Sequence, residues 1–356
     1  MTATAERRFL LVGNPTSQSG KAAAYIDEAL DSMRSRCWYV DFMPTLPDGL
    51  TVAAVAARLT EGEYDTVVAL GGDGTFAEVA TGLLAANRPE IAFAFLPFGT
   101  ANDQGRSFGL HLGPTSLPWN LDIIEARHVR LIDYGDLTHL NEDGEIIATS
   151  LVFHSVGWGM QPDILAVRNR EREVIETIPL VRLFYRNYAV YAGAVLDRWI
   201  ASWVEPTKFD ARLLVDGERM ELTGLTDLVV NATSVYGGMF VLDRFAEPDD
   251  GRFEVFPIFG RRDWAISALR SLRQVVVVES QLSVLPKAQD SSRQVSSLEV
   301  HLVRPGRENV RAQVDGEEWH SGAHFKLQVH KQALPMLVPA EFVPAWQSGP
   351  LDLDSE

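Results

Sequence analysis

Residues 65–79 read DTVVALGGDGTFAEV, and this stretch decides the fold of the N-terminal part of the chain. The apolar run at 65–70 predicts a buried strand, and the glycines after it predict a tight turn into a helix. Glycine lets a backbone approach its ligand closely, and the first N–H groups of a helix favour phosphate. A carboxylate repels phosphate unless a cation lies between them, so Asp73 is predicted to contact nucleotide-bound Mg²⁺. The alternative is a tight turn in which Asp73 caps the helix.

Two more polar loops follow predicted strands. Residues 13–21 read GNPTSQSGK, and residues 97–103 read PFGTAND. The first loop is not a Walker A motif, because six residues separate its glycines and Ala22 follows the lysine. A solvated polar turn is the alternative there. Because the carboxyl ends of parallel strands meet at one edge of a sheet, the three loops are expected to converge on one ligand.

The order of predicted elements divides the chain into two domains. Strands alternate with helices over residues 1–130, which predicts a doubly wound α/β domain with a parallel sheet. Residues 131–356 are predicted to form a β-rich domain with helical insertions at about 163–203 and 262–281. The last strand or the tail is expected to pack back on the first domain.

Asp-Gly pairs mark predicted hairpin turns within the second domain, at 143–144, 216–217 and 250–251. One strand is predicted over 146–157. A later Asp-Gly pair, at 315–316, indicates a two-residue hairpin turn when it is considered alone. The functional alternative needs Glu317, the next residue, to reach a cleft and act as a general base.

Composition excludes several classes of protein. The 356 residues include 48 acidic and 32 basic side chains, for a net charge of −16, which disfavours a nucleic-acid partner. The one cysteine, Cys37, excludes a disulfide framework. The eight histidines are scattered, and the stretch 320–324 lacks the glutamate of an HExxH motif, so no zinc site is indicated. Without a membrane-spanning apolar run or a signal peptide, a cytoplasmic location is expected.

The motifs together resemble the diacylglycerol kinase family of lipid kinases, which includes sphingosine and ceramide kinases and compact bacterial members. The matching segments are NPTSQSGKA (14–22), GGDGTFAEV (71–79), LPFGTANDQGRSFGL (96–110), NATSVYGGMF (231–240), PDDGRFEV (248–255) and VDGE (314–317). They span nearly the whole chain in family order. The resemblance implies an N-terminal α/β nucleotide domain, a C-terminal β-sandwich that offers the lipid, and an active site in the cleft between them.

The resemblance also implies which residues bind ATP and act on the lipid. Glu317 would be the proton acceptor for the lipid hydroxyl. Asp73, from its predicted contact with Mg²⁺, is the second predicted catalytic residue. The nucleotide-binding set would be Asn14, Pro15, Thr16, Ser17, Gln18, Thr45, Gly72, Asp73, Gly74, Thr75, Phe76, Ala77, Glu78, Thr100 and Asn102.

Two further sites follow from the resemblance. Bacterial members hold a structural Mg²⁺ at an Asp-Gly turn, where Asp250 would supply its carboxylate and Glu247 and Arg252 their backbone carbonyls. The segment SVGWGMQPD (155–163) is similar to sphingosine kinases, in which an Asp after the Trp holds the lipid head group. Asp163 has the matching spacing. Its alternative role is to cap a helix after Pro162.

Arginines alternate with aromatic residues over 164–203, which is typical of an interface with anionic head groups. The alternative is a half-buried helix pair. The expected function is an ATP-dependent lipid kinase that phosphorylates the primary hydroxyl of diacylglycerol, a sphingoid base or ceramide, with peripheral membrane contact. An NAD kinase-like enzyme with a soluble acceptor and a non-catalytic relative remain as alternatives. The sequence leaves the oligomeric state open, with a homodimer as one alternative because homodimers are common among oligomers.

Overall fold

A computed structural model describes residues 7–17, 21–99, 101–160, 162–163, 165, 208–236, 240–241, 246–260, 293–304 and 309–341. The helical insertion predicted at 262–281 lies outside the described residues, as does nearly all of the one predicted at 163–203.

The N-terminal part alternates strands and helices, as predicted. Its elements are β1 (Arg8–Gly13), α1 (Lys21–Ser35), β2 (Tyr39–Pro44), α2 (Leu50–Glu61), β3 (Thr66–Gly71), α3 (Asp73–Ala86), β4 (Ala92–Pro97), α4 (Asp103–Ser107) and α5 (Leu117–Ala126). The four strands are parallel and lie in the order β2-β1-β3-β4. The predicted α/β fold class is therefore confirmed.

Helices cover both faces of this parallel sheet. Every residue of β3 and β4 is buried, which is the pattern of strands covered on two sides. One face packs on α2 and α3, through residues such as Val55 and Phe76, and the other packs on α1 and α5, through residues such as Ile26 and Leu121. Burial of these two apolar layers stabilises the parallel sheet, in which the carboxyl ends of all four strands lie at one edge.

Two helices were missing from the prediction. The short α4 begins directly after the third polar loop, and α5 places Leu117, Leu121 and Ile124 on one buried face. Their spacing of four and three residues is the helical period, so the signal for α5 was present in the sequence.

The rest of the chain is β-rich, and its confirmed two-sheet architecture matches the predicted sandwich. The strands are β5 (Val129–Leu140), β6 (Ile146–Val152), β7 (Ser155–Gly159), β8 (Phe209–Val215), β9 (Glu218–Leu225), β10 (Asp227–Asn231), β11 (Val235–Tyr236), β12 (Phe240–Val241), β13 (Phe253–Ile258), β14 (Arg293–Val295), β15 (Ser297–Val303), β16 (Val310–Val314), β17 (Glu317–Gly322) and β18 (His324–Leu337). Six strands form an antiparallel sheet in the order β14-β13-β10-β7-β16-β17. A core that includes Trp158, Phe253 and Phe325 lies between this sheet and the sheet that contains β8, β15 and β18.

The long strand β18 joins the two parts of the molecule. It pairs antiparallel with β15 and β5, and Met336 near its end pairs parallel with Phe93 of β4. The parallel sheet therefore continues into the sandwich as one ten-stranded sheet. The domain boundary near residue 130 stays a prediction; that residue lies inside β5.

Two local predictions were wrong. The single strand expected over 146–157 is two strands in different sheets. The chain leaves its first sheet at 153–154, where the carboxylate of Asp315, in the turn between β16 and β17, binds the backbone N–H groups. The Asp-Gly pair at 250–251 does not join two paired strands, since β13 after it pairs with β10, which ends at Asn231. The N–H of Gly251 donates instead to the carboxylate of Asp133, which holds the turn against β5.

Candidate functional site

The second and third polar loops touch through their backbones. A Cβ on Gly99 would lie 2.4 Å from the Cα of Gly72 and 2.7 Å from Oδ1 of Asn102, so only glycine allows this approach. Asn102 closes the third loop, because its Oδ1 accepts the N–H of Gly99 (2.7 Å) and its Nδ2 donates to the Gly99 carbonyl (2.8 Å). The expected convergence of these loops at the edge of the sheet is therefore present.

The first loop is a compact turn at the same edge. Asn14 Oδ1 accepts both the N–H (3.0 Å) and the hydroxyl (2.8 Å) of Thr16, and the hydroxyl of Ser17 donates to the Asn14 carbonyl (3.0 Å). Pro15 lies within this turn. The N–H of Thr45, after β2, donates to the carbonyl of Gly13 (3.0 Å) and places Thr45 beside the loop. Gln18 and Thr100 lie outside the described residues.

Asp73 connects the second loop to the third. It is the first residue of α3, whose cap position is Gly72, and its Oδ1 accepts the N–H of Gln104 (3.0 Å) in the first turn of α4. The Asp73 carboxylate therefore caps α4, whereas the alternative prediction had it cap α3. Burial raises the pKa of Asp73, and the nearby carboxylate of Asp103 raises that pKa further, while the Gln104 N–H opposes both. Two acidic groups thus lie close together among converging loops.

The start of α3 divides its residues between the site and the core. Phe76 is fully buried, and its ring packs edge-on against the rings of Phe93 and Phe95. Its side chain therefore belongs to the core on which the loop rests. Ala77 packs on the same core. Gly74 is exposed, and a Cβ there would have nothing within 4 Å.

Two further members of the predicted set are positioned by their neighbours. Thr75 fits only because Gly71 has no side chain, since a Cβ there would lie 2.5 Å from the Thr75 hydroxyl oxygen. Burial raises the pKa of Glu78, and a hydrogen bond with the Thr51 hydroxyl partly opposes that shift.

Hydrogen bonds to the buried carboxylate of Asp315 hold the turn at 315–316 in place. Asp315 and Gly316 both have positive φ values, 49° and 83°, and Val314 pairs with Glu317, as in a two-residue hairpin. The Asp315 carboxylate accepts the backbone N–H groups of Phe153 (3.0 Å), His154 (2.8 Å) and Ser155 (2.9 Å). Burial raises the pKa of Asp315, while His154 and the three N–H groups oppose that shift.

His154 links this turn to the polar loops. Its Nε2 donates to the carbonyl of Val235 (2.6 Å) and lies 3.6 Å from Oδ2 of Asp103. Its Nδ1 then accepts the hydroxyl of Ser155 (3.1 Å). Contacts therefore run from the 315–316 turn through His154 to Asp103, beside Asp73.

A second route through side chains strengthens the link. The Gly316 N–H donates to Oε1 of Gln313 (2.7 Å), and Nε2 of Gln313 donates to the Ser155 hydroxyl (3.2 Å). Glu317, an exposed residue, follows this turn directly. The network thus runs from the turn directly before Glu317 to the loop of Asp73.

The network includes Asp103, His154 and Asp315, which were absent from the site residues predicted from the sequence. Asp103 was visible as the last residue of the third loop, and Asp315 as part of an ordinary hairpin turn. His154 carries no sequence signal, because its partners come from distant strands.

Asp163 lies in an ion-paired group on the sandwich. Its Oδ1 is 2.9 Å from Nε of Arg311, which also contacts Glu318 of β17 (3.2 Å). The described residues between 160 and 165 are helical from Met160 onward, so Asp163 lies inside the helical turn and does not cap it. The ion pair brings Asp163 next to the hairpin that carries Glu317.

The turn proposed to hold a structural metal has protein donors on its carboxylates. Oδ1 of Asp250 accepts the N–H of Arg252 (2.8 Å), and Oδ2 accepts Nε2 of Gln294 (3.1 Å). Asp249 forms a two-pronged ion pair with Arg130 (2.7 and 2.8 Å). These contacts shape the turn, and Mg²⁺ at Glu247, Asp250 and Arg252 stays a prediction.

Replacing Asp315 by alanine is expected to destabilise the fold strongly. The N–H groups of residues 153–155 would lose their acceptor, and each unsatisfied buried group costs roughly 1–3 kcal/mol. We expect a loss of about 2 kcal/mol or more in the free energy of unfolding, measured by urea denaturation. Asp216→Ala is the matched control: its exposed carboxylate accepts the N–H groups of Ser296 and Ser297, where water can substitute. Equal losses in the two variants would contradict the anchoring role.

Residues 8–137 match the diacylglycerol kinase catalytic domain family. A diacylglycerol kinase of Staphylococcus epidermidis is 32% identical over 134 residues, which cover 37% of this chain and 40% of the relative. One of Staphylococcus saprophyticus is 33% identical over 132 residues, covering 37% and 41%. The matched region thus spans about two fifths of these relatives.

Solved structures extend the likeness in fold to nearly the whole chain. A diacylglycerol kinase from Bacillus anthracis strain Sterne has a TM-score of 0.64 at 16% identity, covering 96% of this chain and all of that one. Yeast NADH kinase in complex with NADH has a TM-score of 0.52 at 10% identity, covering 99% and 89%. The chain thus shares the fold of these solved structures over nearly its whole length. Residues 8–137 match the diacylglycerol kinase catalytic domain family, as the resemblance in the sequence motifs predicted.

Within the part of the chain that the structure describes, no helix is long and apolar enough to span a membrane.

Proposed function

We propose that this protein is an ATP-dependent lipid kinase that transfers the γ-phosphoryl group of ATP to the primary hydroxyl of a lipid. The observation that carries the proposal is the network from the 315–316 turn through His154 to Asp103. It links a candidate general base, Glu317, to the Gly-rich loops of a diacylglycerol kinase catalytic domain. Glu317 and Asp73, the two residues proposed to act in the in-line transfer, would then face one cleft from opposite sides.

ATP would lie along the three loops at the carboxyl edge of the parallel sheet. Backbone N–H groups at the start of α3 suit a phosphate, because a helix N-terminus carries unpaired donors and a positive dipole end. The close backbone approach between Gly72 and Gly99 leaves no side chain between these two loops. The turn at Asn14 and the neighbouring Thr45 complete the polar edge for the nucleotide.

The acidic pair suits Mg²⁺. Asp73 and Asp103 lie close enough for one carboxylate to raise the pKa of the other, and carboxylate oxygens are the ligands that Mg²⁺ prefers. A divalent cation would relieve this repulsion. When bound with ATP at Asp73, Mg²⁺ would supply charge neutralisation for the phosphate oxygens.

Glu317 would take the proton of the acceptor hydroxyl. The lipid oxygen then forms a bond to the γ-phosphorus, the bond from that phosphorus to the β,γ-bridging oxygen breaks, and ADP leaves. Phosphoryl transfer depends mainly on positioning and charge, so few reactive side chains are required. The hydrogen-bonded turn before Glu317 supports this role, because it holds the backbone of the base rigidly.

The acceptor is proposed to be diacylglycerol or a sphingoid lipid, with Asp163 at the head group. The curated relatives are named diacylglycerol kinases, which favours diacylglycerol and a role in phospholipid biosynthesis. The ion pair of Asp163 with Arg311 lies beside the Glu317 hairpin, which supports the proposal that this carboxylate holds a sphingosine-type head group. Docking on the cytoplasmic membrane surface is proposed from residues 164–203, nearly all of which lie outside the described residues.

A panel of acceptors tests the proposal. The purified chain is incubated with γ-labelled ATP, Mg²⁺ and either diacylglycerol, ceramide or sphingosine in mixed micelles, or NAD in buffer, and products are identified by mass. Transfer to one lipid is expected. Transfer to NAD alone would overturn the proposal and favour the NAD kinase-like alternative, whose fold this chain shares. Tight ATP binding without any transfer would favour a non-catalytic relative.

A Gly74→Ala variant is expected to weaken ATP binding without weakening the fold. The added Cβ meets no protein atom within 4 Å, and alanine favours a helix more than glycine does by roughly 1 kcal/mol. The space that it enters is where a phosphate would approach the helix. We expect a KM for ATP raised about tenfold or more, equivalent to about 1.4 kcal/mol of binding, with an unchanged or higher melting temperature. An unchanged KM would place the phosphates elsewhere.

A further inference from the structure

Three metal-ligating side chains converge on the sandwich, and none of them is among the residues proposed for catalysis. Nε2 of His324 lies 2.7 Å from Oε1 of Glu299, and Nε2 of His301 lies 3.1 Å from the same oxygen. The two imidazole rings stack with their centroids 3.9 Å apart. One ligand atom from each of the three residues lies within 4.8 Å of the other two. We call these residues the Glu299 cluster.

Strand pairing builds this cluster. Glu299 and His301 are two residues apart on β15, so they share one face of the sheet, and His301 pairs directly with His324 of the neighbouring β18. Both strands lie inside the ten-stranded sheet, with β8 and β5 on their other sides. The side chains therefore project from a rigid scaffold, and little rearrangement is needed to bring their donor atoms to one point.

We propose that the Glu299 cluster binds a divalent transition-metal ion, with zinc as the preferred metal. Imidazole nitrogen and carboxylate oxygen are zinc ligands, and two histidines with one carboxylate form a three-residue donor set. The ligands would be Nε2 of His301, Nε2 of His324 and Oε1 of Glu299. Water would take the fourth position of a tetrahedral site, because the cluster lies at the surface.

Lysine and arginine next to the cluster set the strength of binding. Nζ of Lys326 lies 3.5 Å from Oε2 of Glu299, and Arg212 is the cross-strand partner of His301 on β8. Both positive charges oppose a cation, and Lys326 competes for the carboxylate. The site is therefore expected to bind zinc less tightly than a closed structural site does, and removal of the lysine charge is expected to strengthen binding.

Bound metal would cross-link β15 and β18. Because β18 also pairs with β4 of the parallel sheet, this cross-link lies on the strand that connects the sandwich to the nucleotide part. A ligand that binds only the folded protein stabilises it by mass action. The inferred role is thus structural, and it does not depend on the proposed kinase activity.

Zinc titration of the whole chain tests the proposal. Protein without an affinity tag is treated with a chelator, dialysed, and titrated with Zn²⁺ by calorimetry and with Co²⁺ by visible absorption. One equivalent of each metal is expected, with the intense absorption of tetrahedral Co²⁺. His301→Gln and His324→Gln should each weaken Zn²⁺ binding by more than about tenfold, since substitutions outside the ligand shell already cost that much. Lys326→Gln should strengthen it.

Matched controls separate this site from adventitious binding. His128→Gln and His330→Gln remove exposed histidines outside the cluster and should leave Zn²⁺ binding within about twofold, well below the tenfold loss expected for a ligand. Thermal unfolding in chelator verifies that each variant is folded. Absence of a stoichiometric site, or equal losses in the control and cluster variants, would overturn the proposal.

Discussion

Replacement of Asp73 by asparagine is expected to abolish phosphoryl transfer while leaving the fold at least as stable at neutral pH. Asparagine keeps an oxygen that can accept the Gln104 N–H, so the contact between α3 and α4 survives. It removes the negative charge proposed to hold nucleotide-bound Mg²⁺. Groups that neutralise charge in phosphoryl transfer contribute about 10³–10⁵ to kcat, so we expect a loss of at least about a thousandfold.

The stability of this variant should depend on pH with a defined sign. Burial and Asp103 raise the pKa of Asp73 in the folded state above the value of the unfolded chain. The protonated carboxyl is therefore favoured by folding at low pH, and this contribution is lost as the pH rises through the folded-state pKa. Asparagine cannot ionise, so the variant gains stability relative to the wild type as the pH rises through that range.

Steady-state kinetics with ATP and lipid, together with thermal unfolding at pH 4 and pH 7, check both halves of this prediction. Asp27→Asn, an exposed position on α1, is the control and should change neither quantity. Near-normal turnover in Asp73→Asn would refute the assigned role. If the melting temperature of Asp73→Asn, relative to the wild type, were lower at pH 7 than at pH 4, the proposed cost of the buried Asp73 charge would be refuted.

Replacement of Glu317 by glutamine is expected to lower kcat by about 10²–10⁴, the usual contribution of a general base. Glutamine has nearly the same shape and keeps the pairing with Val314, so binding of ATP should not change. The loss should therefore be seen in kcat with little change in the KM for ATP. Steady-state assays at saturating lipid measure this difference.

The neighbouring Glu318→Gln variant is the matched control for this prediction. Glu318 lies on the opposite side of β17 and contacts Arg311, the ion-pair partner of Asp163. Its loss is therefore expected to change the KM for the lipid and not the proton transfer that sets kcat at saturating lipid. The variant should retain kcat within about twofold, against the 10²–10⁴ loss for the base. Equal losses in the two variants would show that the hairpin, and not the carboxylate of Glu317, is what matters.

Sequence patterns were sufficient for the parallel half of the fold. The apolar runs of β1, β3 and β4 and the glycines that follow them are local signals, and they located all three loops at one edge of the sheet. The sequence predicted which loop contains Asp73, but it could not predict which group its carboxylate contacts. Its partner, the N–H of Gln104, belongs to a helix that the prediction lacked.

Local patterns were insufficient where contacts between distant strands decide the structure. The apolar character of 146–157 continues without a break, yet the chain changes sheets at 153–154, where Asp315 binds the backbone N–H groups. The Asp-Gly pair at 250–251 looked like the pairs at 143–144 and 216–217. Its neighbours in sequence are not its neighbours in the sheet, so it is not a hairpin turn.

By itself the sequence determined the alternation of strands and helices, the Gly-rich loops and the resemblance to diacylglycerol kinases, because periodicity and short motifs are properties of neighbouring residues. Only the tertiary structure decided which polar groups meet. His154 reaches Asp103 from another strand, and histidines that look scattered in the sequence become the Glu299 cluster when β15 pairs with β18. The physical reason is that burial of apolar faces sets strand register, and register then brings side chains from distant positions to within hydrogen-bonding distance.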